Sequence, residues 1–283
     1  MQIEFKQPVK GYPNLMILSG QPGVGKSSLI VGLNKGKYKS LHIDLQGGAA
    51  HVGGYIVDVK GEADKNGWSL ARAWKETIKS IRKLNAENGS PVYDFVTVDP
   101  LSSFKEIIIA LSAKIYNESV VGRAAMRKAA EEKYGPGQKF TPEMLNQFAS
   151  KDPVSDIGKN GWNFYNQAWK EIISDISNIA SKCVIIIAHT KYNTLKKTEI
   201  TEVSVTEIDF WPAYLLELIG TASDSGSLYR KDNQVIASFV LKDAHQHFKS
   251  RNFDGQEFIL SLKEGNEIKT MWEQIFPFLN KEK

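Results

Sequence analysis

A glycine-rich stretch between residues 20 and 28, GQPGVGKSS, carries the strongest chemical signal in the sequence. It matches the spacing GxxxxGK[ST], with Gly20 and Gly25 flanking the loop and Lys26 and Ser27 closing it. In such a loop backbone N–H groups face phosphate oxygens, the lysine reaches the β- and γ-phosphates, and the hydroxyl binds Mg²⁺. The pattern therefore predicts binding of a nucleoside triphosphate, ATP, together with Mg²⁺. The predicted contacts are Gly20, Gln21, Pro22, Gly23, Val24, Gly25, Lys26, Ser27 and Ser28.

Two polar residues that end apolar runs are candidates to act on the same phosphates. Asp99 closes the run VYDFVTVD, and an aspartate at a strand end typically holds Mg²⁺ beside such a loop. Alternatively, Asp99 is a helix N-cap or a turn residue before Pro100. His189 closes the run CVIIIAH, where it would lie beside the γ-phosphate and sense its presence. The alternative is a strand-end histidine bonded to a neighbour. Thr190 and Lys191 are further candidates for this position.

Several other suggestive residues are better interpreted as structural. His245 and His247 share one face of an extended segment, but no cysteine or third histidine accompanies them, so we do not interpret them as metal ligands. Cys183 is the single cysteine, which excludes an internal disulfide, and it lies in an apolar run. We expect Cys183 to be buried, and Trp68 and Trp211 to be packing residues.

Composition limits the class of protein. A chain of 283 residues with 42% hydrophobic residues can build one large core, so we predict a single domain over residues 1–283. The net charge of +4 permits contact with nucleic acid without demonstrating it. The opening residues MQIEFKQPVKGYPN lack the apolar segment of a signal peptide, and no apolar run approaches a membrane span. We expect a soluble, cytoplasmic protein with no membrane partner.

Strands and helices alternate around the candidate residues. Residues 15–19 predict a buried strand that leads into the glycine loop, and residues 26–34 predict the helix that leaves it. Because runs that are apolar on both faces alternate with amphipathic helices, the sequence predicts an α/β fold with a mostly parallel sheet sandwiched by helices. Further strands are predicted at 40–45, 92–98 and 183–188, and further helices at 70–84, 104–116 and 164–179.

Three regions depart from this alternation. Residues 49–67 are rich in glycine and predict a loop or a small hairpin. Residues 117–160 mix charges around Gly-Pro-Gly and predict an inserted helical or mobile segment. After residue 210, short strand patterns predict a β extension at the C-terminal side of the sheet, with a terminal helix over residues 271–276.

The order of these motifs resembles the RecA/KaiC branch of P-loop ATPases, in which GQPGVGKSS, SLHIDLQGG, FVTVDPLSS and VIIIAHTK have counterparts. The stretch DFWPAYLLELIGTASDSGSLYR, followed by a strand and KSRNFDG, is similar to phage-encoded RecA-like NTP-binding proteins grouped with the Sak-four single-strand annealing proteins. The resemblance covers roughly residues 14–260. It implies a RecA-like core that acts on single-stranded DNA as a ring or filament, with a single-strand DNA-binding protein as a candidate partner.

The resemblance also identifies one departure from the family. The strand after the first helix ends in a glutamate that activates the attacking water in that family, and the matching position in IDLQGG is Gln46. An amide cannot take a proton from water, although it can orient the water. The resemblance therefore implies slow hydrolysis, or another base such as Glu62.

A basic pair in HFKSRNF completes the implied catalytic set. Lys249 and Arg251 resemble the pair that RecA-like rings and filaments insert into the neighbouring subunit's nucleotide site. The alternative is an ordinary solvated or DNA-contacting basic turn. The implied catalytic residues are Lys26, Gln46, Asp99, His189, Lys249 and Arg251.

The segment after the His189 run is the implied contact with DNA. Residues 191–209 contain Lys191, Lys196 and Lys197, and lysines on a mobile loop suit sequence-independent contact with phosphates. The same segment carries several acidic residues, so a merely solvated loop remains the alternative. The insertion at 117–160 is a second candidate.

The expected function is that of an ATP-binding RecA-like protein acting on single-stranded DNA in phage-type recombination, annealing or replication, with slow, DNA-stimulated hydrolysis. One alternative is a helicase or helicase-loader motor, for whose extra partner domain the chain leaves little room. A second is an ATP-switched binding module with negligible turnover, which Gln46 favours.

Overall fold

The computed structural model describes residues 14–48, 54–196, 202–240, 250–265 and 267–280. Ten strands form one sheet. The strands are β1 (Leu15–Gly20), β2 (Ser40–Asp44), β3 (Tyr55–Asp58), β4 (Phe95–Asp99), β5 (Cys183–Lys196), β6 (Glu202–Ile208), β7 (Asp224–Lys231), β8 (Gln234–Ser238), β9 (Glu257–Glu264) and β10 (Glu267–Thr270). The helices are α1 (Lys26–Ile30), α2 (Val59–Asn66), α3 (Leu70–Asn88), α4 (Phe104–Glu118), α5 (Val120–Tyr134), α6 (Pro142–Asn146), α7 (Pro153–Ile157), α8 (Trp162–Ile176) and α9 (Pro212–Thr221).

The sheet is parallel over most of its width. Strands β3, β2, β4, β5, β1 and β7 run parallel in that spatial order, and β8, β9 and β10 extend the sheet beyond β7 in antiparallel fashion. The carboxyl ends of the parallel strands meet at one edge, here called the carboxyl edge. Its register places Gly20 opposite His189 and Asp44 opposite Asp99. The predicted α/β fold is confirmed, with its mostly parallel sheet, flanking helices and C-terminal antiparallel extension.

Apolar side chains pack on both faces of the sheet. On one face α3, α4 and α8 contribute a buried aromatic cluster, in which Trp74 and Phe104 meet edge to face at 5.1 Å. On the other face Phe95 packs on Phe276 at 4.9 Å, beside α1 and the segment after β10. Each such side chain contributes about 1.5–3 kcal/mol by burial. The central strands are therefore fixed from both sides, which holds the carboxyl edge in place.

The loop or hairpin predicted for residues 49–67 is wrong in the part that the structure describes. Residues 55–58 form β3, parallel to β2, and α2 follows directly. Asp58 accounts for this helix start, because its side chain accepts a hydrogen bond from the Gly61 N–H at 2.7 Å. Gly67 ends α2 in the left-handed conformation that glycine adopts without strain.

The loop predicted after the His189 strand is also wrong. Strand β5 continues to Lys196, and β6 returns beside it from Glu202 to Ile208 in an antiparallel hairpin. The period-2 alternation of β-branched and polar residues in EVSVTEI indicates this strand.

Helices occupy the region predicted as a helical insertion. Within residues 117–160, the end of α4 is followed by α5, α6 and α7. The predicted terminal helix is instead a pair of short 3-10 turns, Trp272–Gln274 and Pro277–Asn280, because Pro277 has no N–H with which to continue a helix. In the described part of the chain, no helix combines the length and apolarity that a membrane crossing requires.

Candidate functional site

The loop between β1 and α1 has the conformation that its glycines permit. Gly25 has φ 102°, a value that side chains other than glycine rarely adopt. A Cβ added at Gly20 would lie 2.9 Å from the carbonyl oxygen of Leu228, so only glycine lets β7 approach here. Helix α1 continues as a 3-10 turn over Val31–Leu33, which agrees with the predicted helix over 26–34.

Lys26 is a buried cation at the base of this loop. The residue is only 6% exposed. Its Nζ donates hydrogen bonds to the carbonyl oxygens of Gly20 at 2.9 Å and Gln21 at 2.7 Å. Burial lowers the pKa of Lys26, and the charge of Asp99 opposes this shift. Both acceptors belong to the backbone of the loop itself, so Nζ already lies where the loop would hold a phosphate.

Asp99 lies at the carboxyl edge on β4 with an unused acceptor. The residue is 9% exposed, and its Oδ1 is buried without a hydrogen-bond partner among the described residues. Burial raises the pKa of Asp99 to about 6; Lys26 opposes the shift and Asp44 adds to it. The predicted alternative, a cap, is not adopted: the 3-10 turn Leu101–Ser103 begins after Pro100 and has no side-chain cap.

The donors at this edge fit Mg²⁺ bound with a nucleotide rather than a metal held by protein alone. In the described part of the chain, no group of three or more His, Cys, Asp or Glu side chains could enclose a metal ion. Mg²⁺ typically uses one or two carboxylates together with substrate phosphates and water. The orphaned Asp99 oxygen and the half-buried Ser27 hydroxyl at the start of α1 would be its two protein contacts.

The sequence predicted His189 at the end of its strand, but the strand continues to Lys196, so His189 lies within β5, opposite Gly20. Burial lowers the pKa of His189, Lys26 lowers it further and Asp209 raises it. The imidazole is therefore neutral near pH 7. Its backbone carbonyl accepts the N–H of Asp209 at 2.8 Å, which ties the middle of β5 to the segment after β6.

Gln46 is exposed on the turn that follows β2. Asp44 builds this turn: its Oδ1 accepts the N–H groups of Gln46 and Gly47, each at 2.9 Å. Asp44 is buried and in register with Asp99, and the sequence analysis missed it. A charged residue inside the apolar run SLHIDL was the available signal.

Glu62 is not brought to the glycine loop. It lies exposed on α2, 3.8 Å from Lys65, after the edge strand β3. Three strands, β2, β4 and β5, separate β3 from β1. At about 4.8 Å per strand spacing, the separation is roughly 19 Å. Glu62 is therefore remote from the phosphates that Lys26 would bind.

The lysines predicted to contact DNA fall in different settings. Lys191 lies 3.6 Å from Oδ1 of Asp209, a carboxylate that also accepts Lys105 at 2.7 Å, so its charge is partly balanced. The backbone of Lys196 pairs with Glu202 in the hairpin. Lys197 lies outside the described residues.

Only one member of the predicted basic pair, Lys249 and Arg251, lies in the described part of the chain. Lys249, together with His245 and His247, lies outside the described residues. The backbone N–H of Arg251 donates to Asp224 at 2.9 Å, at the amino end of β7.

Arg251 is therefore at the opposite edge from the glycine loop. Asp224 is opposite Met16, four residues before Gly20, which is roughly 13 Å along a strand that rises about 3.3 Å per residue. An arginine side chain that starts from this edge does not reach the phosphates of its own subunit.

A cleft at the carboxyl edge contains a second residue that the sequence analysis missed. The cleft has a volume of about 500 Å³ and lies between the glycine loop and the end of β7. Arg230 lines it, with Nη2 3.4 Å from the position that a Cβ on Gly25 would occupy. The motif search overlooked it because a lone arginine in SLYRKD has no local spacing signal.

The chain matches no protein-family model, and a search of curated proteins likewise finds no match. What the protein does must therefore be argued from the residues at the carboxyl edge.

Proposed function

We propose that this chain is a RecA-like P-loop ATPase that binds ATP with Mg²⁺ at residues 20–28 and acts on single-stranded DNA. The observation that carries the proposal is the proximity of two charges: Lys26 is buried in the glycine loop, and Oδ1 of Asp99 has no hydrogen-bond partner among the residues that the structure describes. Buried polar groups are normally satisfied, so an orphaned carboxylate oxygen beside a buried cation supports a site that a ligand completes.

The roles at the site follow from charge and position. Lys26 would exchange its two carbonyl acceptors for phosphate oxygens, to which an ammonium bonds more strongly. Bound Mg²⁺, contacted by Ser27 and Asp99, would neutralise charge on the phosphates. His189, on β5 opposite Gly20, would contact the γ-phosphate as a neutral donor and so distinguish triphosphate from diphosphate.

Turnover is expected to be slow. The position implied for the water-activating carboxylate is occupied by Gln46, and Glu62 is remote from the loop. Gln46 can orient a water molecule, but it leaves the reaction without the proton acceptor that a glutamate would provide.

Assembly is part of the proposal, because Arg251 and the glycine loop lie at opposite edges of one subunit. In a ring or filament, Arg251 and Lys249 of one subunit would complete the nucleotide site of the next. The hairpin of β5 and β6 would contact DNA phosphates. Lys191 and Lys196 lie on β5, and Lys197 follows them in the sequence. The expected processes are phage-type recombination, annealing or replication.

The first test is a calorimetric titration of wild type and Lys26→Ala with MgATP, followed by ATPase assays with and without single-stranded DNA. We expect Lys26→Ala to bind about 100-fold more weakly, since a charge-assisted contact contributes about 1.5–3 kcal/mol. Lys79→Ala removes an exposed lysine on α3 and is the matched control. Native-like affinity of a folded Lys26→Ala protein would contradict the site, and ATPase rates indifferent to DNA would contradict the partner.

A second candidate function is an ATP-switched binding module without significant turnover. Two observations favour it: Gln46 carries an amide, and Oδ1 of Asp44 is engaged by backbone N–H groups. A single-turnover assay separates the two functions. Bound ATP that persists through hours of incubation with DNA would support the module.

A further inference from the structure

Arg230 and the catalytic carboxylate lie on opposite sides of β1. Asp99 is on β4, separated from β1 by β5, whereas Arg230 is on β7, the other neighbour of β1. A triphosphate held by the glycine loop therefore has its γ-phosphate toward Asp99. The nucleoside end extends the other way, into the cleft between the loop and β7.

The walls of this cleft suit a flat aromatic ring. Pro22 and Val24 contribute apolar surface from the loop, and Leu228, on the same face of β7 as Arg230, contributes it from the strand. The volume of about 500 Å³ lies within the range of roughly 300–1,000 Å³ that is usual for small-molecule sites.

Arg230 is free to contact a ligand in this cleft. The residue is exposed, and it forms no ion pair with any other residue that the structure describes. Its Nη2 lies against Gly25, at the start of α1, so the guanidinium is next to the phosphate loop. A guanidinium is planar and weakly hydrated, so it can stack flat on an aromatic face, whereas a lysine ammonium offers only its point charge.

We propose that Arg230, with the apolar surface of Pro22, Val24 and Leu228, forms the nucleobase subsite and packs its guanidinium on the face of the base. The inference rests on the proposed nucleotide function and extends it from the phosphates to the nucleoside. It assigns recognition of the two halves of the nucleotide to opposite sides of β1: Asp99 for the phosphates, Arg230 for the base.

The test compares binding of MgATP with binding of magnesium tripolyphosphate, which has the phosphates but no base. Calorimetric titrations use wild type, Arg230→Ala, Arg230→Lys and Lys231→Ala. Lys231 is the next residue on β7 and is also exposed, so its side chain leaves the opposite face of the strand with the same charge. Thermal unfolding of each variant verifies that the fold is intact.

Arg230→Ala is expected to weaken MgATP binding about tenfold, since a cation on an aromatic face changes an affinity by a factor of about 3 to 30. Its binding of tripolyphosphate is expected to stay at the wild-type value. Arg230→Lys keeps the charge but not the planar group, so its ATP affinity should fall between those of wild type and Arg230→Ala. Lys231→Ala should resemble wild type for both ligands.

Equal weakening of both ligands in Arg230→Ala would overturn the subsite, because the arginine would then act on phosphate. Wild-type ATP affinity in Arg230→Ala would also overturn the subsite, and so would wild-type ATP affinity in Arg230→Lys. Failure of the proposed function is separate: wild type would then bind neither ATP nor tripolyphosphate, which would remove the premise of the inference.

Discussion

Two buried aspartates on the same sheet have opposite surroundings. Asp224, at the amino end of β7, is fully buried and accepts four hydrogen bonds, from Ser250 Oγ at 2.6 Å, Arg251 N at 2.9 Å, Asn252 N at 3.0 Å and Asn252 Nδ2 at 2.6 Å. Asp99, at the carboxyl end of β4, is 9% exposed and leaves Oδ1 without a partner in the described part of the chain.

This difference distinguishes a carboxylate that fixes the fold from a carboxylate that can bind a ligand. A carboxylate whose oxygens are satisfied by its own chain can fix a segment but has nothing to offer a ligand. A carboxylate left unsatisfied costs free energy in the free protein, and that cost is offset only when something binds. Asp224 thus anchors the segment that carries Arg251, whereas Asp99 is available to a bound cation.

The largest expected effect is on ATP turnover and concerns Arg251, which lies in the segment that Asp224 holds in place. Arg251→Ala should retain its fold and its affinity for ATP but lose about 10³-fold in turnover, the lower end of the contribution of an arginine supplied to a transferring phosphate. Steady-state ATPase assays measure this, and Arg123→Ala on the exposed face of α5 is the control.

Mixing distinguishes a role in the neighbouring subunit from a role in the same one. Arg251→Ala and Lys26→Ala damage different halves of a composite site, so mixed assemblies should recover activity where two intact halves meet. If the two proteins co-assemble and no mixing ratio restores hydrolysis, Arg251 does not act across an interface.

Next in size is the stability that Asp224 provides. Asp224→Ala leaves several buried donors without an acceptor, so we expect the free energy of unfolding to fall by about 3 kcal/mol. Urea unfolding measures the change. Asp254→Ala, an exposed aspartate in the same segment, should change stability by less than about 0.5 kcal/mol. Equal small losses in both variants would remove the distinction between Asp224 and Asp99.

Replacing Asp99 should raise the free energy of unfolding rather than lower it, and the size of this gain should depend on pH. Its pKa of about 6 in the folded protein exceeds the ordinary value of 3.8, so folding takes up a proton between these values. The contribution of Asp99 to stability is then fully present below its ordinary pKa of 3.8 and is lost as the pH rises through about 6. Asp99→Asn should be about 1–2 kcal/mol more stable than wild type at pH 7.5, and this gain should vanish near pH 4.

Urea unfolding at both pH values, without nucleotide, measures this difference. Metal binding needs the ionised carboxylate, so Mg²⁺-dependent ATP affinity should fall below pH 6 in wild type. An Asp99→Asn protein that is less stable than wild type at pH 7.5 would show that the orphaned oxygen costs nothing.

The smallest expected effect concerns the turn built by Asp44. Gln46→Glu places a carboxylate at the position implied for the base, and we expect ATP turnover to rise about tenfold, since positioned bases contribute about 10²–10⁴-fold. The turn should survive because Asp44 bonds the backbone of residue 46 rather than its side chain. A folded variant that binds ATP but is no faster than wild type would exclude Gln46 as the missing base.

Local patterns were sufficient to predict the glycine loop and the central strands. Lys26, Asp99 and His189 each follow or end an apolar run, and the parallel sheet brings those ends together. The β3–α2 unit was missed because the helix start depends on Asp58, a cap that is recognised only once the strand before it is known.

Arg230 and Asp224 could not be found in this way. Arg230 acquires a role only from the pairing of β7 with β1, and Asp224 only from its contacts with residues 250–252, 26 or more positions later. Such contacts have no periodicity in the sequence. Whether the carboxylate oxygens of an aspartate have hydrogen-bond partners is decided only in the folded chain.

The support of α1 has a consequence for biosynthesis. The Trp272 Nε1–H donates to the carbonyl oxygen of Leu29 at 2.6 Å, across 243 positions of sequence, and Thr270 packs directly against Gly32. A nascent chain exposes the glycine loop early, but the ribosome must add all of those residues before the helix behind the loop gains its last contacts. The phosphate site that we propose would therefore be completed only after the sheet extension has emerged, and we expect stalled fragments to bind nucleotide weakly.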